Sequence, residues 1–180
     1  AYAQPAKLGS EIKVSTTTNG IEFPTVAVDN DGDFAVTWGQ YDTASSYTYV
    51  YMQRYDNTGA AQGSEVKVTG NSALFFAAPD IAMDDDGDFV VTWSSYNSTT
   101  GAQNIHFQRF DATGTKQGTE TTVNVNSTET ISPEIAMDDD GDFVIVWTGY
   151  ESANSSYALY MQRYDNTGTA QGTETKVNTS

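Results

Sequence analysis

Four carboxylates and one glycine are consecutive at Asp84-Asp85-Asp86-Gly87-Asp88, inside the stretch IAMDDDGDFVVTW (81–93). Near copies occur as VAVDNDGDFAVTW (26–38) and IAMDDDGDFVIVW (135–147). A hard cation such as calcium takes several carboxylate and carbonyl oxygens, and alternate aspartates in a tight turn can converge on one point. That chemistry selects Asp29, Asp31 and Asp33 in the first knot, Asp84, Asp86 and Asp88 in the second, and Asp138, Asp140 and Asp142 in the third as metal ligands. The competing reading is a hairpin whose aspartates favour the turn and solubilise its tip. The spacing departs from an EF-hand loop, because Gly follows the second Asp directly and the distal Glu is missing. Crowded carboxylates repel one another, so a cation from a salty medium is expected near the knots on either reading.

Other side chains with chemical potential are few. His106 is the only histidine and stands where the other units carry Tyr51 and Tyr160, which marks a packing position. Absence of cysteine excludes disulfides, thiolate catalysis and Cys-based zinc sites. The stretches GQYDTASSYTY (39–49), SSYNSTTGAQN (94–104) and TGYESANSSYA (148–158) vary between units. They place Tyr41, Tyr96 and Tyr150 among small polar residues, a composition suited to stacking on sugars or to protein contacts and otherwise that of solvated loops. Glycosylation sequons at Asn97, Asn126, Asn154 and Asn178 are of the kind that Ser/Thr-rich loops produce by chance. No Ser/His/Asp set, P-loop or paired-carboxylate signature stands out. Near-identity of the units also argues against catalysis, since an active site needs one asymmetric constellation.

The elements that carry these residues follow from an internal period. Pro24, Pro79 and Pro133 precede the knots and Trp38, Trp93 and Trp147 close them, at spacings of 55 and 54 residues. YVYMQRYDNTG (49–59), NIHFQRFDATG (104–114) and ALYMQRYDNTG (158–168) repeat next, then GSEVKV (63–68), GTETTV (118–123) and GTETKV (172–177). A fourth copy of the last segment, GSEIKV (9–14), precedes the first unit. β-Branched and aromatic residues between turn signals, with no 3.6-residue periodicity, give four short strands per unit. Phe89, Val91 and Trp93 face one way along the second strand while Val90 and Thr92 face the other, so each sheet is expected to be covered on both faces. The fold class is therefore all-β, three four-stranded antiparallel meanders of 54–55 residues, like propeller blades, plus a surplus N-terminal strand. The chain is one repeat domain over 1–180, with the strand at 9–14 and repeats at 24–68, 79–123 and 133–177. A β-trefoil is the alternative, although its closed three-fold leaves no use for a fourth copy of the last segment.

The pattern P-x-I-A-M-D-x-D-G-x-x-V-x-W followed by I-x-x-Q-R-F-D-x-x-G resembles the repeats of bacterial extracellular β-propellers of the sialidase-like (BNR-type) kind, and of repeat arrays in large secreted adhesins. The resemblance covers nearly the whole chain, and its motifs specify a blade and not an activity. It draws notice to Arg54, Arg109 and Arg163, one per unit, because sialidases use three arginines to hold a substrate carboxylate. Each arginine occupies the same place in QRYD or QRFD, so a structural pairing with a nearby Asp is expected.

Twenty-four acids against eight bases leave a formal charge of −16, and the knots supply eleven of those acids. A field of that sign repels nucleic acid and anionic lipid, and no apolar run reaches the ~20 residues of a membrane helix. Taken together, the sequence predicts a non-enzymatic extracellular or cell-surface structural module, a filament or adhesion subunit, with a carbohydrate-binding lectin-like module as the alternative. Calcium is the expected cofactor. The expected partners are other copies of the chain, joined head to tail into rings or fibres by addition of the surplus strand, and glycans at the tyrosine loops.

Overall fold

The computed structural model describes residues 9–17, 20–70, 78–96, 101–124, 130–153 and 155–178. Three of the four sequons, at Asn97, Asn126 and Asn154, lie outside the described residues, as do positions 97–100 of the second tyrosine loop. Among the described residues, twelve strands form three separate four-stranded antiparallel meanders. The first sheet is β1 (Ile21–Val28), β2 (Phe34–Asp42), β3 (Tyr47–Tyr55) and β4 (Ala61–Lys67). The second is β5 (Asp80–Met83), β6 (Phe89–Tyr96), β7 (Gln103–Phe110) and β8 (Lys116–Thr122). The third is β9 (Thr130–Met137), β10 (Phe143–Glu151), β11 (Ser156–Tyr164) and β12 (Ala170–Lys176). Three independent sheets exclude the single closed barrel of a trefoil. No helix among the described residues is long and apolar enough to cross a membrane.

Neighbouring blades touch through their first strands, β1 against β5 and β5 against β9, so they converge on an axis there and splay toward β4, β8 and β12. The apolar cores lie between blades. Ala35, Val50, Met52 and Val68 of blade one pack with Ile81, Phe89, Val91, Trp93 and Phe110 of blade two. Val90, Ile105, Phe107 and Val123 of blade two pack with Phe143, Ile145, Trp147 and Tyr164 of blade three. Period-2 alternation in β6 thus sends Phe89, Val91 and Trp93 back toward blade one and Val90 on toward blade three, as the sequence predicts.

Each tryptophan is at most 1% exposed and stacks on the cross-strand neighbour one strand over: Trp38 on Tyr51, Trp93 on His106 and Trp147 on Tyr160, with ring centroids 5.8–6.4 Å apart. His106 is therefore a packing residue. The fourth strands bulge opposite Gln53, Gln108 and Gln162 of the third. Each glutamine is buried, and its amide donates to the carbonyl of the following arginine at 2.9–3.0 Å.

Residues 9–14 differ from expectation. They carry no strand ladder and lie against blade one. Tyr55 Oη donates to the Val14 carbonyl at 3.4 Å, the Thr16 N–H donates to Glu65, and Ile12 reaches Gly59. By repeat position Val14 corresponds to Val68 and Val123, which share the two inter-blade cores with Phe110 and Tyr164, the counterparts of Tyr55. The surplus copy lies against blade one on the side where a preceding blade would stand, and among the described residues no strand ladders with it.

Candidate functional site

The knots sit at the β1–β2, β5–β6 and β9–β10 turns. Within each, the first aspartate caps its own turn. Asp29 Oδ1 accepts the N–H groups of Asp31 and Asp33, both at 2.9 Å; Asp84 Oδ1 accepts those of Asp86 and Asp88 at 3.1 and 2.9 Å; Asp138 Oδ1 accepts those of Asp140 and Asp142 at 3.2 and 3.0 Å. The third aspartate reaches sideways to the turn between the third and fourth strands. Asp33, Asp88 and Asp142 accept the backbone N–H of Asn57, Ala112 and Asn166 at 2.8, 2.8 and 3.0 Å. Gly87, at φ 85°, takes the left-handed conformation that closes the turn, and a Cβ there would lie 3.2 Å from Asp29 Oδ2 of the neighbouring knot.

Six of the nine candidate metal ligands, the first and third aspartates of each knot, thus have turn-building work, and among the described residues no three His, Cys, Asp or Glu side chains gather as a metal-binding group. Neighbouring knots do crowd each other. Partial burial, and behind it the charges of Asp88 and Asp86, holds Asp84 above the usual carboxylate range. Partial desolvation followed by the charge of Asp139 raises Asp85. A polar cavity of about 250 Å³ between knots two and three is lined by Asp84, Asp86, Asp140 and Arg109.

Tyr41, Tyr96 and Tyr150 lie at the opposite ends of the sheets, paired with Thr48, Gln103 and Tyr157 across β2–β3, β6–β7 and β10–β11. Tyr41 is exposed, Tyr96 is half-buried, and Tyr150 meets Tyr157 edge to face with centroids 5.2 Å apart. The fold separates tyrosines from knots by the length of a blade. Arg54 and Arg109 pair not with an Asp but with the next blade. Arg54 Nη1 donates to the Thr113 carbonyl and Arg109 Nη1 to that of Thr167, and each side chain lies over the glycine that follows, Gly114 or Gly168.

The first strands hold a group that sequence reasoning missed. Asp80, at the start of β5, accepts from Thr25 Oγ1 in β1 at 3.0 Å and from the Ile135 N–H in β9 at 2.9 Å, so one carboxylate ties all three blades where they converge. Thr25, Asp80 and Glu134 occupy the same repeat position, the residue after the proline, and Glu134 is exposed. A signal existed. In P-x-[VI]-A-[VM] the residue x is Thr, Asp or Glu within an otherwise near-constant stretch.

No family model matches the chain and no curated protein is similar to it. Solved structures share the fold. An endo-arabinase from Bacteroides thetaiotaomicron is 16% identical with a TM-score of 0.53, over 94% of this chain and 67% of that one. A Hadza microbial sialidase is 12% identical with a TM-score of 0.64, over 88% and 37%. An α-L-arabinofuranosidase from Fusarium graminearum is 12% identical with a TM-score of 0.60, over 87% and 48%. The chain thus spans about two thirds of the first and less than half of the others. These likenesses define a propeller-like all-β fold. They also correct the expectation of a non-enzymatic structural module and its lectin-like alternative: the solved structures that share the fold are mostly glycoside hydrolases.

Proposed function

We propose that this chain supplies three blades of a carbohydrate-processing propeller and that Asp80 and Glu134 contribute to a glycoside-hydrolysing site on the blade axis. The observation that carries the reading is asymmetry: Thr25, Asp80 and Glu134 differ in chemistry at one repeat position while their flanks stay alike. Glycoside hydrolysis commonly uses two carboxyl groups flanking the scissile bond. Asp80, held by two donors, suits a carboxylate facing the positive charge that develops on the sugar ring. Glu134, exposed on the neighbouring first strand, is left for proton transfer to the leaving oxygen. The tyrosines at the β2–β3, β6–β7 and β10–β11 ends supply faces on which sugar rings stack. A charge of −16 suits an extracellular, salty setting.

The test is release of nitrophenol from aryl arabinosides, xylosides and sialosides by the intact chain. Expected is turnover that Glu134→Gln lowers by about 10²–10⁴-fold. Turnover on none of these substrates, or turnover that survives Glu134→Gln, overturns the reading.

A further inference from the structure

The two end faces of the three-blade stack are unlike each other and complementary. On its forward side, blade one buries Ala35, Val50 and Val68 to 1% exposure or less against blade two, and blade two buries Val90, Ile105 and Val123 to 5% or less against blade three. Their counterparts in blade three are Val144, which is half-buried, Leu159, 39% exposed, and Val177, 46% exposed. Arg163 stands beside them, exposed. Among the described residues its guanidinium has no hydrogen-bond or ion-pair partner, whereas those of Arg54 and Arg109 grip the following blade. The backward side of blade one has the opposite features. Val26 and Val28 are each 60% exposed where Ile81 is 5% exposed against blade one, and an apolar cavity of about 260 Å³ lies between Lys13–Ser15 and Ile21, Pro24, Val36 and Trp38.

Gly59 matches Gly114 and Gly168, the two glycines that receive an arginine. A Cβ at Gly114 or Gly168 would lie 3.0 Å from Cδ of Arg54 or Arg109, and one at Gly59 would lie 2.7 Å from Cδ1 of Ile12. The cradle for an incoming arginine therefore exists on blade one and is filled by the N-terminal segment.

We propose that blade three of one copy docks on blade one of a second copy, with Arg163 entering the Gly59 cradle and donating to the Thr58 carbonyl. Both junctions inside the chain are templates for this contact. Residues 9–15 are a place-holder: Val14 occupies the position that Val177 of the docked blade takes, so docking expels the segment. β12 keeps the place because it is laddered to β11, whereas residues 9–15 carry no strand ladder. The contact is heterologous and closes when a second such junction joins the same two copies. Two copies of three blades make six, within the four to eight of closed propellers. This inference stands independently of the glycosidase reading, since it rests on the end faces alone.

Light scattering on the full chain across a concentration series tests it, at moderate salt because two copies each carrying −16 repel. Expected is a discrete species at twice 19.5 kDa. Ile12→Asp, which loosens the place-holder, lowers the dissociation constant at least about tenfold, and Arg163→Glu or Leu159→Asp, both on an exposed face, raises it by at least that factor. A single 19.5 kDa species at every concentration for both the parent chain and Ile12→Asp overturns the proposal. So does association indifferent to Arg163→Glu and Leu159→Asp, or growth past two copies, which would mean the ring does not close.

Discussion

The knots and the blade axis are both acidic, yet they are built on opposite plans. The knots carry aspartate and glycine at the same four positions in all three copies, and in every copy the first and third of these aspartates bond the corresponding backbone N–H groups of their own blade. The axis repeats a position but not a residue, and Asp80 there spends its oxygens on two other blades. In a repeat fold, side chains that every copy needs for its own turn are uniform, while a position facing the common axis is free to differ because only one copy need perform a given task. Uniformity marks construction and difference marks a candidate for function.

The comparison is tested hardest at Glu134. Glu134→Gln is expected to remove about 10²–10⁴ of turnover while leaving the melting temperature unchanged, as calorimetry would show. Its counterpart Asp80→Ala loses turnover and also stability, by about 1.5–3 kcal/mol in urea unfolding, because two inter-blade hydrogen bonds to a charged acceptor vanish. Equal stability losses at both positions would erase the distinction between them. In the knots, Asp84→Ala costs about 1–2 kcal/mol by the same measurement, since two turn amides lose their cap, and has no effect on turnover.

Smaller effects sharpen the same contrast. His106 is the one departure from tyrosine among the tryptophan stacks, and burial holds it below its ordinary value of 6.5 against the opposing charge of Glu120. The unfolded chain takes up that proton first, so stability is full above pH 6.5, falls as pH drops through 6.5, and levels off once the folded form is also protonated. His106→Tyr should flatten the melting temperature between neutral pH and mildly acidic pH. The smallest effect is expected for Asp85→Asn, which relieves repulsion between neighbouring knots and raises the melting temperature more at low salt than at high. Calcium at the knots is our proposal for what supplies that relief in the medium. A saturable rise in melting temperature beyond that of sodium at equal ionic strength would support it, and superimposable curves would leave the turn role standing alone.

Much of the fold was legible because blades obey local rules. Period-2 alternation fixed which faces of β6 are covered, glycine placed the hairpins, and the 55- and 54-residue spacings placed the sheets. What was not legible depends on relations between copies. Arg54 reads as a partner for a nearby Asp, yet its acceptor is a backbone carbonyl 59 residues on, and nothing in QRYD encodes it. Residues 9–14 read as a strand because their sequence matches three strands, but a strand needs a neighbour to ladder with. The axis was overlooked for a related reason: attention to what repeats passes over the one position in the proline motif that does not.

The arginine clasp has a consequence for how such a chain changes over generations. Arg54 and Arg109 finish on a main-chain oxygen and a bare glycine, features that every copy of the repeat carries whatever its loops contain. A recombination event that inserts or deletes one whole repeat therefore leaves every junction with both halves of its fastening. Copy number can drift without a compensating substitution, and lineages of this protein can lengthen or shorten by single blades while the loops diverge separately.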